Sequence, residues 1–298
     1  MKDLFKEKLP HIFGIAGIIF IFLSMFTVKD LTKWDVSFVS PIKTAPLLAG
    51  IIFIALSILW HLAPHLTVPL SWTALSKIKK TSDGFQANIQ RASIEICFGQ
   101  IQELYKNEPT ALVALPANDL FDDKCIEDTR SALGAFVNSI FPNQVHQISN
   151  LAKDKLPVAT GVYNGIHRYD IGSTIYFDRP LAKDIRLAFL SVTTVTENDG
   201  IRCDAPDIFR AVKGLHRLIN SQRLDTVVLP VIGSGHGGLH PPISLICMLI
   251  AFAECLKQPS GHHIKSVRIV VYQKDKHTKP AISYWQARRL LAFVQRYC

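Results

Sequence analysis

The stretch Leu229-Pro230-Val231-Ile232-Gly233-Ser234-Gly235-His236-Gly237-Gly238-Leu239, followed by His240-Pro241-Pro242, decides how this chain is read. Residues 225–229 (Asp-Thr-Val-Val-Leu) read as a buried strand, and the two prolines suit the first turn of a helix, where a missing N–H costs nothing. Strand, glycine loop and helix together aim backbone N–H groups and a helix N-terminus at an anion. Four glycines between residues 233 and 238 remove Cβ atoms that would hinder a phosphate. The stretch predicts a phosphate or pyrophosphate cradle. The alternative is a glycine-rich turn without a ligand.

Two common cradles do not fit. Gly233, Gly235 and Gly238 satisfy G-x-G-x-x-G, but a dinucleotide fold wants an acid about 20 residues further on, at the end of the next strand. That position is Gln258, in the tail of the predicted helix, and Asp275 comes late, after the strand at 266–272. No Lys-Ser or Lys-Thr follows the last glycine, which removes the P-loop.

The chain has 298 residues, room for one large domain and an extra module. Hydrophobic residues make up 48% and mean hydropathy is +0.20, high values concentrated at the N-terminus. The net charge of +9 suits nucleic acid, anionic lipid or a phosphorylated small molecule. No Lys/Arg-rich block with interleaved aromatics appears, which argues against nucleic acid. Cys97, Cys125, Cys203, Cys247, Cys255 and Cys298 show no C-x-x-C spacing. They read as buried free thiols in a reducing compartment, with no zinc site.

Residues 11–28 contain no Asp, Glu, Lys or Arg, and residues 44–64 are similar around Ala-Gly-Ile-Ile-Phe-Ile-Ala-Leu-Ser-Ile-Leu-Trp. Each is long enough to cross about 30 Å of hydrocarbon as a helix. A signal peptide is disfavoured, since no small-x-small site follows and a second apolar run arrives soon. Residues 1–66 are therefore expected to form a transmembrane hairpin. Lysines 2, 6 and 8 precede the first span and lysines 77, 79 and 80 follow the second, so both termini are expected to be cytoplasmic. Neither span carries a central acid or base, so no charged ion pathway is written into them. Residues 67–88 read as a linker, with Pro69, the lysine cluster and the turn signal Ser82-Asp83-Gly84.

From there to residue 298, short apolar strands alternate with helical patterns. Strands are predicted at 93–98, 110–115, 174–177, 186–192, 226–229 and 267–272, and helices at 125–141, 206–221, 243–256 and 280–297. Such alternation predicts an α/β domain with a buried mixed sheet, expected to be a three-layer α/β/α arrangement over residues 89–298. Ligands in such sheets bind beyond the strand ends. Three loops qualify: Gly99-Gln100-Ile101, Pro116 to Cys125, and Gly233 to Leu239.

This set, in this order, resembles a macro domain, the module that binds ADP-ribose and related nucleotides. In that family an early strand ends in Gly-Asp-Ile, the next in an Asn-containing turn, and a late one in a Pro-x-x-Gly-x-Gly-x-x-Gly loop. Here these are Gly99-Gln100-Ile101, Leu115-Pro116-Ala117-Asn118, and residues 230–238. Two departures stand out. Gln100 replaces the family's adenine-contacting Asp, leaving an amide oxygen as acceptor without charge assistance. A bulky acidic run, Asp119-Leu120-Phe121-Asp122-Asp123-Lys124-Cys125, follows Asn118 where hydrolytic relatives carry glycines. That run disfavours hydrolysis and suggests a ligand with an added group, cationic in character.

The resemblance implies the site. Asn118 would orient the distal ribose, or else close an Asx-turn. Asp119, Asp122 and Asp123 would meet the ligand, or else favour the N-terminus of a following helix. Gly233, Ser234, Gly235, Gly237, Gly238 and Leu239 would cradle the diphosphate, and His236 would donate to a phosphate or ribose. As a general base His236 lacks an acid partner visible in the sequence. Ser131 and Gly134 read as packing positions, and Asp199, Asp204 and Asp207 as loop and cap residues.

With the hairpin, the layout resembles the transmembrane-macro effectors of bacterial anti-phage defence, in particular of Thoeris systems. The resemblance implies an inner-membrane sensor of an ADP-ribose derivative, made from NAD by a partner TIR-domain protein, with no cofactor. Ligand would drive homo-oligomerisation and disruption of the lipid bilayer. An ADP-ribosyl hydrolase and a passive ADP-ribose reader are the alternatives.

Overall fold

A computed structural model of the chain describes residues 26–30, 35–38 and 75–298, apart from 109, 199, 259–262 and 276. The chain divides into two compact units, Met1–Pro69 and Leu70–Cys298. In the first, β1 (Phe26–Asp30) pairs antiparallel with β2 (Asp35–Phe38). The apolar runs 11–28 and 44–64 otherwise lie outside the described residues. Residues 26–28 correct the end of the first run: Phe26, Thr27 and Val28 lie in a strand, as aromatic and β-branched residues favour. Among the described residues no helix is long and apolar enough to cross a membrane.

The second unit runs β3 (Lys79–Lys80), β4 (Gly84–Ile89), β5 (Ala92–Gly99), α1 (Ile101–Leu104), β6 (Leu112–Asn118), α2 (Asp123–Glu127), α3 (Ala132–Ile140) and α4 (Val145–Lys153). It continues with β7 (Gly161–Tyr163), β8 (Ile166–Arg168), β9 (Thr174–Asp178), β10 (Arg186–Val195), β11 (Ile201–Arg202) and α5 (Ala205–Ser221). The last elements are β12 (Thr226–Pro230), α6 (Pro241–Lys257), β13 (Ser266–Tyr272) and α7 (Tyr284–Tyr297). Strands order as β11-β10-β6-β12-β13-β5-β4-β3, with β9 also on β10. The five from β10 to β5 are parallel, and the flanking strands antiparallel.

Burial on both faces explains the continuous apolar runs of the central strands. Ile94, Leu112, Ala188, Leu229 and Ile269 pack on one face with α5, α6 and α7; Val113, Leu115, Phe189, Val228 and Val270 pack on the other with α1, α3 and α4. The α/β/α sandwich is thus the expected one. Strand β3 and all but the last residue of β4 lie inside the stretch read as linker, because β4 pairs with β5 and β3 with β4, which makes both part of the sheet. The helix expected at 125–141 is two helices. Asp128 leaves helical geometry, and Ser131 starts α3 by accepting a hydrogen bond from Gly134 N at 2.9 Å. Gly134 permits the break, since a Cβ there would stand 2.2 Å from the Asp128 carbonyl oxygen.

Candidate functional site

The C-terminal ends of β5, β6, β12 and β13 border a cleft of about 1120 Å³. Its floor is the glycine loop after β12. Gly233 takes a positive φ of 76°, and a Cβ there would stand 2.6 Å from Cys203 Sγ. A Cβ on Gly237 would lie 2.7 Å from both Cys203 Cβ and the Gly233 carbonyl oxygen. On Gly235 it would meet nothing within 4 Å, and Gly235 lines the cleft. Leu239 N donates to Gly233 O at 3.1 Å, and Gly238 N to Gly235 O at 3.1 Å, closing the loop on itself. Among the described residues no backbone carbonyl accepts from the N–H groups of residues 233–237. Helix α6 follows with Pro241 in its first turn, as the sequence predicts.

On the β6 side, Asn118 Oδ1 accepts from Leu120 N at 3.2 Å, forming an Asx-turn, while its Nδ2 donates to Asp122 Oδ1 at 3.2 Å. Asp122 also caps α2, accepting from Cys125 N at 3.0 Å. Asp123 accepts from Ser149 Oγ and from Lys153 Nζ, the latter at 2.7 Å, and these partners hold its carboxyl below the usual range. Burial, aided by Asp122, pushes the Cys125 thiol up to about 12, so it stays protonated. All six cysteines are free thiols.

Of the residues expected at the site, the cleft gathers Gln100, Asn118, Asp122, Asp123, Gly233, Ser234, Gly235, His236 and Gly237. Asp119, Gly238 and Leu239 are not on its wall. Asp119 is 2% exposed; it accepts from Val195 N at 2.9 Å and pairs with Arg168 Nε at 2.9 Å, so it fastens β10. Gly238 has a positive φ of 74° and serves the turn, and Leu239 packs against the core. Gln100 reaches the cleft, but its Oε1 already accepts from Gln102 Nε2 at 2.6 Å and its Nε2 donates to Lys274 O. One lone pair of that oxygen remains for a ligand amino group.

Several cleft residues escaped the sequence reading. Asp128 Oδ2 lies 3.3 Å from His236 Nε2, the acid partner that the sequence did not show. Arg130 grips the same carboxylate through Nε at 2.9 Å and Nη2 at 3.1 Å, and this holds Asp128 down to about 2. The β7–β8 hairpin supplies Tyr163, Asn164 and Ile166 to the wall. Asn164 and Gly165 both have positive φ, the signature of a type I′ turn. Asn-Gly between β-forming residues was the signal available for it. The Tyr163 hydroxyl donates to Thr196 O at 2.7 Å, and the Arg168 guanidinium lies 4.9 Å from the Tyr163 ring. Asp119 and Arg168 therefore brace the hairpin that walls the cleft.

A mixed sheet between two helical layers, with a glycine cradle beside an Asn turn at the parallel strand ends, defines a macrodomain-type fold. The Oceanobacillus iheyensis macrodomain with MES bound aligns with a TM-score of 0.51 at 13% identity, covering 72% of this chain and 97% of that one. The same macrodomain with ADP aligns at 0.50, with 13% identity and coverage of 72% and 97%. At such identity the likeness establishes the fold. No curated protein matches the sequence. The family model of the Thoeris protein ThsA macro domain matches residues 94–272, and the chain belongs to that family.

Proposed function

We propose that the cleft binds an ADP-ribose-type nucleotide and that its occupancy is the input of a Thoeris-type defence response. The carrying observation is that, among the described residues, no backbone carbonyl accepts from the N–H groups of residues 233–237, while those residues line a cleft of about 1120 Å³, roomy for a small-molecule ligand. The diphosphate sits on that loop, the adenine end near Gln100 and Tyr272, and the distal ribose near Asn118 and Asp122. The Oceanobacillus iheyensis structure with ADP supports a nucleotide in this fold. A partner TIR-domain protein supplies the signal from NAD. The apolar runs 11–28 and 44–64 anchor the chain in the inner membrane with the macro domain in the cytoplasm. Ligand favours a homo-oligomer, which disrupts the bilayer.

Calorimetry with ADP-ribose tests the first step. Gly235→Glu places a carboxylate in open cleft space and abolishes binding without unfolding the chain; unchanged affinity would overturn the assignment. Vesicle leakage by the full chain, appearing only with ligand, tests the second.

One observation favours a hydrolytic alternative: His236 has an acid neighbour in Asp128. The low pKa of that acid and its grip by Arg130 make it a weak proton acceptor, so binding without turnover is the preferred reading. Release of ADP-ribose from modified protein, lost in Asn118→Ala, would reverse that preference.

A further inference from the structure

Helix α7 buries Ala287, Leu291, Ala292 and Val294 against the domain. On its other side three aromatic side chains are exposed. Trp285 is 63% exposed, Tyr297 59% and Phe293 38%. Arg289 lies 4.3 Å from the Trp285 ring centre, Arg296 lies 5.3 Å from that of Tyr297, and the Phe293 and Tyr297 rings are 4.9 Å apart. At 100° per residue these five side chains occupy an arc about 120° wide. No residue of α7 is an acid.

The helix that carries this face is tied to the start of the domain by residues outside the arc. Arg288 Nη2 donates to Leu75 O at 2.9 Å, and Gln295 Nε2 donates to Asn88 O. Arg288 thus ties α7 to Leu75, where the described part of the domain begins, and Gln295 ties it to the end of β4. The second apolar run ends at residue 64, and the stretch from there to Leu75 spans at most roughly 40 Å. Helix α7 packs on β4, and the neighbouring edge strand β3 exposes Lys79 and Lys80, with Lys77 and Arg91 exposed nearby in sequence. Asp83 is the sole acid from β3 to the β4–β5 turn.

We propose that this face of α7 docks on anionic lipid headgroups; the proposal rests on the reading of residues 11–28 and 44–64 as membrane-inserted. Tryptophan and tyrosine rings suit the headgroup level, and the arginines match anionic phosphates. A second copy is the poorer occupant, because a two-fold contact through this face sets the arginines of one α7 against those of the other, and α7 itself supplies no acid to that contact.

The test uses the full chain at one copy per lipid nanodisc, in phosphatidylcholine alone or mixed with phosphatidylglycerol. Lipids brominated near the headgroup end of the acyl chain quench nearby tryptophan. The difference between wild type and Trp285→Phe isolates Trp285 from Trp34, Trp60 and Trp72. Quenching of Trp285 is expected in the anionic discs, with the docked population falling roughly five-fold for each of Arg289→Gln and Arg296→Gln. Carbonate extraction separately tests insertion of the apolar runs. Retention in carbonate without Trp285 quenching overturns the docking while leaving the anchor intact. Burial of Trp285 only in discs holding two or more copies overturns it in favour of self-contact.

Discussion

Asp128 and His236 meet at 3.3 Å across the cleft, one at the end of a short helix and the other in the glycine loop. The contact joins the two sides of the proposed phosphate site. It also sets a carboxylate, held at a pKa of about 2 by Arg130, beside a loop suited to anions.

Removing that charge should help an anionic ligand. Asp128→Asn is expected to tighten ADP-ribose binding by about two- to five-fold, the scale of a surface charge interaction, with the gain shrinking at high salt. Calorimetry at two salt concentrations checks both the sign and the screening; weaker binding would mean that Asp128 positions His236 for the ligand instead.

The glycines of the loop divide by what surrounds them. Gly237→Ala forces a Cβ against Cys203 and the Gly233 carbonyl, and should destabilise the domain by about 1–3 kcal/mol. Gly235→Ala meets open space and should stay within about 0.5 kcal/mol of wild type. Thermal unfolding without ligand separates the two; equal losses would contradict the loop geometry.

Arg268 and Glu95 face each other in register on β13 and β5, with Nε 2.9 Å from Oε2 and both side chains largely buried. Arg268→Met strands a buried carboxylate and should cost about 3–5 kcal/mol, whereas pairing it with Glu95→Leu should recover most of the loss. Urea unfolding of the single and double variants decides it. Additive losses would show that packing, not charge pairing, holds these strands.

His216 is buried in α5, and burial lowers its pKa below 6.5. A base whose folded pKa is depressed binds protons more readily when unfolded, so its contribution to stability is present above pH 6.5 and lost as pH falls toward the folded value. His216→Phe is expected to flatten the stability profile below pH 6.5. An unchanged slope in denaturant titrations at pH 7 and pH 5.5 would assign the acid sensitivity to other groups.

Asp119 gives a further discriminating variant. Asp119→Ala should lower stability by about 1–3 kcal/mol through the unsatisfied Val195 N–H and the loss of the Arg168 brace. At a temperature where the variant remains folded, its affinity for ADP-ribose should fall less than that of Gly235→Glu. A Tm equal to wild type with binding lost would restore Asp119 as a ligand contact.

The sandwich and most of its strands were legible because they rest on local patterns. Apolar runs such as 186–192 and 226–229 name buried strands by composition, and the dense glycines of residues 233–238 name the loop that lines the cleft. Less was legible where a residue's role depends on a partner distant in the chain. Asp119, Asp122 and Asp123 look alike as a run, yet one is buried on Arg168 and the β10 backbone, one caps a helix and one binds Ser149 and Lys153. Strand β4 was hidden because a six-residue segment with Gly84 and Asn88 becomes a strand through its pairing with β5 rather than by propensity.

By itself, then, the sequence determined the α/β/α class and the positions of the glycine loop after β12 and of the Asn118 turn, since periodicity and glycine placement are local properties of the chain. The tertiary structure decided which acids face the cleft, that Asp128 answers His236, that the β7–β8 hairpin walls the site, and that α7 exposes an aromatic and arginine face. Those are contacts between segments far apart in sequence, and only the packed sheet, by fixing where each strand ends, brings them within hydrogen-bonding distance.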